Sequence, residues 1–310
     1  MKSKEIKGQR ISRLSLGTVQ LGLNYGINNQ SGKPDRTQAF AILNAAMQGG
    51  INALDTAPAY GDSEEVIGAW RQTVPETQRP FVTTKLEKID HSSLEALRVG
   101  IQKQVKASKA RLGVDTIPLL MLHSFEDYDC DRENMKQVFA ELKERGDIRF
   151  SGISAYAQHD YSVIAASGFD AVQIPCNIFD WRQVDNGGIQ TLADSGMMIF
   201  VRSVYLQGLV FQKPEELDPR MAFAHETLVK FRALCARFGL APAELALSFA
   251  LSLPGVTSLV LGSEKPEQVE QNIALLDRTR DLTEEEMDAI HAAFRNTDYR
   301  VLTPTTWYNA

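Results

Sequence analysis

Four side chains in the first half of the chain are of types that hold and transfer protons. Each closes or follows a short apolar run. Asp55 ends INALD, Lys85 ends FVTTK and His123 ends IPLLMLH, while Tyr60 follows five residues after Asp55 within DTAPAYGD. A carboxylate, an ammonium, an imidazole and a phenol are the side chains of general acid–base work. Taken singly, each has a plainer reading. A lysine at a strand end is usually solvated, a histidine there is often a hydrogen-bonded core residue, and an Asp before Thr-Ala-Pro can simply form a turn. These residues act together only if the fold gathers them.

The elements that must do so are legible as an alternation. Apolar runs suited to strands recur at 14–17, 51–55, 81–85, 117–123, 150–154, 171–175, 197–202 and 256–262. Amphipathic stretches of helical length lie between them, at 35–48, 63–72, 92–112, 133–145, 184–195 and 266–276. In 92–112, Leu94, Leu97, Ile101, Val105, Ser108 and Leu112 share one stripe; Ser92 or Ser93 caps its start and Gly113 follows its end. Continuous apolar strands alternating with helices imply parallel strands buried on both faces. Eight such units are what a closed (β/α)8 TIM barrel requires, with its active site at the C-terminal face of the strands. A doubly wound open sheet is disfavoured, because LGTVQLGLNYG lacks the G-x-G-x-x-G spacing. The reading is of one domain, 1–310, with a long connection at 203–223 on the active face. An extra C-terminal helix follows at 283–294, opened by a Thr283/Glu286 capping box, and then a tail. In that architecture Asp55, Lys85, His123, Ser154, Gln173, Arg202 and Gly262 lie on one rim.

Bulk properties exclude several alternatives. The 310 residues are 44% hydrophobic and 23% charged, with a formal net charge of −6. That is enough core for a stable domain and the wrong sign for a nucleic-acid binder. No window is long and apolar enough for a membrane span, and the opening MKSKEIKGQR lacks the apolar segment of a signal peptide. Cys130, Cys176 and Cys235 read as buried thiols of a cytoplasmic protein. The histidines lack ligand-like spacing, so no metal site is expected. The expected partner is a small molecule, neither nucleic acid nor membrane, and the oligomeric state is left open.

DTAPAYGDSEEVIG resembles the signature of the aldo-keto reductase superfamily, and TTK at 83–85 and LLMLH at 119–123 resemble its lysine and histidine motifs. RLGVDTIPLLMLH and ERGDIRFSGIS are similar to further landmarks, so the likeness runs from about Leu14 to Asn272. It implies a (β/α)8 barrel that binds NADPH, or NADH, and reduces an aldehyde, ketone or sugar carbonyl. It also implies roles. Tyr60 is the general acid, Lys85 and Asp55 support it, and His123 orients the carbonyl. Gly17, Thr18, Ser154 and Gln173 belong at the nicotinamide end, with Ser203, Gln207 and Leu209 over the pyrophosphate. Gly262, Ser263, Lys265, Gln268 and Asn272 belong at the adenosine end. The sequence departs from the family pattern in three places. Ala155 follows Ser154 where an Asn is common. Arg202 stands where an aromatic residue often stacks on the nicotinamide; as a cofactor contact its guanidinium stacks on that ring, and otherwise it reaches an anionic part of the substrate. No Arg lies near Gln268, which leaves Lys265 to meet a 2′-phosphate.

These residue types suit the implied chemistry. Negative charge develops on a carbonyl oxygen as hydride arrives, and a donor must meet it. A phenol serves if a nearby ammonium lowers its pKa, and a carboxylate keeps that ammonium charged in a buried site. A neutral imidazole adds a second donor, and Gly61 lets the AYG turn aim the ring inward. Tyr25, Trp181 and Tyr205 are expected to shape the substrate mouth, with Trp307 and Tyr308 as further aromatic candidates. Two alternatives stand beside reduction. One is an NAD-dependent aldose dehydrogenase working in the oxidative direction; the other is a cofactor-sensing regulatory subunit with little turnover.

Overall fold

The computed structural model describes residues 1–25 and 32–307. An antiparallel hairpin, β1 (Ser3–Ile6) and β2 (Gln9–Ser12), comes first. The barrel strands follow: β3 (Leu14–Gly17), β4 (Ala53–Asp55), β5 (Phe81–Leu86), β6 (Ile117–Leu122), β7 (Ile148–Ser154), β8 (Ala171–Pro175), β9 (Met198–Arg202) and β10 (Val256–Gly262). They pair in parallel and close, β10 against β3. The eight apolar runs are these eight strands, and the chain is a (β/α)8 barrel.

The pleat explains the composition of the runs. Leu16, Leu54, Val82, Leu120, Ile153, Val172 and Ile199 face outward into the helix layer. Ala53, Leu119, Met121, Ala171, Met198 and Phe200 face inward and fill the lower barrel. Burying a side chain of this size contributes roughly 1.5–3 kcal/mol. The hairpin plugs the N-terminal end. Ile11, 1% exposed, joins the inward cluster, and Lys4 donates to the Gly255 carbonyl at 2.6 Å. The opposite, C-terminal rim carries the polar ends. The register sets Gly17 beside Asp55 and Gly262, and Ser154 beside Gln173.

The helices follow their sequence signals. Ser93 accepts from the Ala96 amide to start Leu94–Leu112, and Gly113 ends it with φ 62°. Thr283 and Glu286 form the capping box of Glu284–Phe294. Several features differ from expectation. The stretch 184–195 is two helices, Arg182–Asp185 and Gly188–Asp194, because Gly187 takes φ 75°. His123 lies one residue past β6. The hairpin was not anticipated. Nor were His225–Phe238 and Pro242–Ser252, the helices that follow the 3₁₀ turns of the 203–223 connection. Cys130 is exposed, not buried; Cys176 and Cys235 are buried.

One buried polar knot fixes the helix that follows the Asp55–Tyr60 loop. Glu64, fully buried on Ser63–Arg71, accepts from Thr84 on β5 (2.6 Å), from Ser108 (3.3 Å) and from Arg111 (2.6 Å). A buried carboxylate with this many donors is satisfied, and it ties three elements together. Among the described residues no single helix is long and apolar enough to cross a membrane. No group of three or more His, Cys, Asp and Glu side chains among them is placed to hold a metal ion.

Candidate active site

The rim brings Asp55, Tyr60, Lys85 and His123 together. Lys85, with its side chain wholly buried, donates to Asp55 Oδ1 at 2.7 Å, to the Thr56 carbonyl at 3.0 Å and to the Tyr60 hydroxyl at 3.4 Å. The Tyr60 and His123 rings meet edge to face, with centroids 6.1 Å apart. Gln173, 1% exposed, donates its amide to the same Asp55 oxygen at 2.7 Å. Asp55 is therefore held by two donors from β5 and β8, and the Lys85 charge is matched within the buried pair.

Electrostatics sort the proton positions. Burial works against the Lys85 charge, but Asp55 and Tyr60 outweigh it and hold its pKa above the ordinary lysine value. Burial raises the Tyr60 phenol, and the nearby Lys85 and Arg202 charges only partly offset this. The expectation that Lys85 lowers the phenol below its ordinary value is thus corrected: desolvation of a nearly enclosed ring is the larger effect. Tyr60 is a protonated donor at neutral pH. Burial first, and then the charges of Lys85 and Arg202, bring His123 down to about 4, so its imidazole is neutral there.

Backbone contacts aim the tyrosine. Gly61 takes φ 60°, and a Cβ there would meet the Gly22 carbonyl oxygen. A Cβ on Gly22 would collide with the Tyr60 carbonyl oxygen. The turn Val19–Gly22 and the Tyr60–Gly61 turn therefore lie backbone to backbone, which only glycine permits. Gly22 was not singled out from the sequence, although LGLNYG holds it. Thr18 is buried and donates its hydroxyl to the Asp55 carbonyl at 2.8 Å. Ser63 Oγ lies 2.8 and 2.9 Å from the two Thr18 oxygens. These bonds fix the base of the same loop.

A cleft of about 620 Å³ opens over this rim. Its lining includes Asp55, Tyr60, His123, Gly17, Thr18, Ser154, Gln173, Arg202, Ser203, Gln207, Gly262, Ser263, Gln268 and Asn272, together with Tyr25 and Tyr205. Tyr205 donates to Asn272 at 3.3 Å and packs on Phe211. The loop after β9 carries three non-glycine residues at positive φ: Ser203 at 62°, Leu206 at 45° and Gln207 at 52°. Such backbone costs on the order of 1–2 kcal/mol per residue and tends to cluster at functional sites.

Other expected residues lie elsewhere. Leu209 is buried in the core. Trp181 donates to the Ile178 carbonyl and packs on Phe249 and His291, behind the barrel wall. Trp307 is buried and donates to the Arg300 carbonyl. Lys265 is exposed at the start of Pro266–Arg278 and is absent from the lining. Tyr308 lies outside the described residues. Lining residues that sequence reasoning missed include Gln20, Tyr156, Phe211, Glu264 and Gln271. Gln20 Oε1 and Ser263 Oγ are buried there without a hydrogen-bond partner. Unsatisfied buried polar atoms lining the cleft fit a bound molecule rich in polar groups, as a nicotinamide dinucleotide is.

Comparisons with known proteins agree with this fold. The model of the Aldo/keto reductase family matches residues 13–295. The chain is 28% identical over 299 residues to the NADH-specific methylglyoxal reductase of Escherichia coli, covering 86% of this chain and 90% of that protein. It is 27% identical over 271 residues to the D-threo-aldose 1-dehydrogenase of a Pseudomonas species, covering 76% and 82%. A holo-form aldo-keto reductase from Bacillus halodurans superposes with a TM-score of 0.77 at 24% identity, covering 95% and 96% of the two chains.

Proposed function

Since the chain belongs to the aldo/keto reductase family and is an NAD(P)H-dependent oxidoreductase, we propose that it reduces a small aldehyde, ketone or sugar carbonyl with Tyr60 as the proton donor. The observation that carries this is the Tyr60 hydroxyl 3.4 Å from Lys85 Nζ, which is itself paired with the buried Asp55. The bound nicotinamide supplies the hydride. Tyr60 gives its proton to the carbonyl oxygen, and the Lys85 ammonium stabilises the phenolate left behind. Asp55, with Gln173 behind it, keeps that ammonium charged. His123, neutral, donates a hydrogen bond that fixes the carbonyl against the phenol. Gly17, Thr18, Ser154 and Gln173 form the nicotinamide end of the cofactor site, Ser203 and Gln207 the middle, and Gly262, Ser263, Gln268 and Asn272 the far end. Tyr25 flanks the substrate, whereas Tyr205, bonded to Asn272, belongs to the cofactor's far end. The chain works as one catalytic domain in the cytoplasm.

The far end of the site suits NADH better than NADPH. Glu264 lines the far end, whereas Lys265 is exposed and off the lining. A carboxylate there opposes a 2′-phosphate. The similar Escherichia coli protein is named NADH-specific. Oxidation of an aldose, suggested by the likeness to an aldose dehydrogenase, is the reverse of the same step, with Tyr60 accepting the proton it donates in reduction. The test is a screen of aldehydes, aldoses and dicarbonyls with each cofactor, read at the nicotinamide absorbance band. NADH oxidation on a small carbonyl, faster than NADPH oxidation, is the expected result. No turnover of any carbonyl with either cofactor contradicts the reading.

A further inference from the structure

Arg202 is the cation that the catalytic arrangement leaves unused. It ends β9 in the inward row that begins with Met198 and Phe200, so its side chain stands at the top of the barrel interior. It lines the cleft with Tyr60 and His123, and its charge reaches both. Asp55, the carboxylate at the foot of the cleft, is already matched by Lys85 and Gln173. Arg202 has no carboxylate partner among the described residues. Its guanidinium lies 4.7 Å over the ring of Tyr156, which leaves its edge donors uncommitted.

The platform beneath it is itself held. The Tyr156 amide donates to His159 Nδ1 at 3.1 Å. With Nδ1 accepting, His159 Nε2 donates to Glu126 at 3.1 Å, and the imidazole stacks on Phe125 at 4.6 Å. A cation fixed on an aromatic face, with a planar fork open to a cleft, is built to take an oxyanion.

Resting on the carbonyl-reduction reading, we propose that Arg202 selects carbonyl substrates that carry a carboxylate or phosphate, gripping the anion while the carbonyl meets Tyr60 and His123. An uncharged aldehyde leaves the guanidinium without its partner.

The experiment compares matched substrates on the full chain with saturating NADH: 4-oxobutanoate against butanal, and glyceraldehyde 3-phosphate against glyceraldehyde. The expected kcat/KM ratio favours the anionic member by about 10- to 100-fold for at least one pair, the range of a charge-assisted bond. Arg202→Met brings that ratio close to one, mainly through KM. Arg202→Lys restores part of it, and the Kd for NADH, read by tryptophan quenching, stays within about threefold. A wild-type ratio near one in both pairs overturns the proposal while leaving carbonyl reduction standing. A ratio unchanged by Arg202→Met overturns it too. A large rise in the NADH Kd of that variant assigns the guanidinium to the cofactor and also overturns it. Failure of the wild type on all four substrates overturns the proposal, and failure across the wider carbonyl screen with both cofactors removes the underlying reading as well.

Discussion

Lys85 and Asp55 form a buried ion pair whose value is chemical more than structural. Replacing one partner leaves the other charge stranded, at a cost of about 3–5 kcal/mol. Lys85→Met should therefore lower urea stability by about that much as well as abolishing turnover, because the Tyr60 phenolate loses its cation. Adding Asp55→Asn should recover most of the stability and none of the activity; recovery of both would remove Lys85 from the chemistry. His123 gives a pH signature. Its imidazole falls to about 4 in the folded protein, against about 6.5 when unfolded. Between those values the unfolded chain binds the extra proton, so stability should rise with pH from about 4 to about 6.5. Reduction should show no histidine titration near 6.5 and should fall only towards 4. An imidazole that titrates near 6.5 by NMR would contradict the burial argument. All four residue types were legible in the sequence. The Tyr60 pKa was not, because desolvation depends on how completely the cleft walls enclose the ring.

At the scale of elements, the site depends on one contact between turns. Gly22→Ala forces a methyl group against the Tyr60 carbonyl. It should cost about 1–3 kcal/mol by overpacking and lower kcat up to about 100-fold by shifting the ring. Stability and kcat matching the wild type, measured by denaturation and steady-state kinetics, would show that the turns do not position Tyr60. The strands were legible because runs such as LLML and MMIFV are buried on both faces. Their C-terminal ends then placed the polar residues without further information. Pro242–Ser252 escaped because it is apolar nearly all round, which hides the helical period. Hairpin β1–β2 escaped because its alternation is weak and largely exposed. Trp181 and Lys265 were misplaced for a related reason. Sequence position shows which loop holds a side chain, but not whether that side chain turns to the cleft, the core or solvent.

Across the whole molecule, stability and chemistry occupy opposite ends of the barrel. The hairpin and the inward cluster close the N-terminal end, while the ionisable groups sit at the other rim. Ile11→Ala, in the plug, should cost about 2–5 kcal/mol in urea denaturation and leave kcat/KM of the folded enzyme unchanged. A large kcat loss without unfolding would mean the two ends are coupled. The central claim is that the barrel gathers Asp55, Tyr60, Lys85 and His123 so that one phenol can deliver a proton. Tyr60→Phe tests it most directly, since it removes a single oxygen and keeps the ring packed on His123. With NADH and the best small carbonyl found, kcat should fall by about 10²–10⁴-fold while the Kd for NADH stays unchanged. Turnover equal to the wild type, at equal cofactor affinity, would contradict the account.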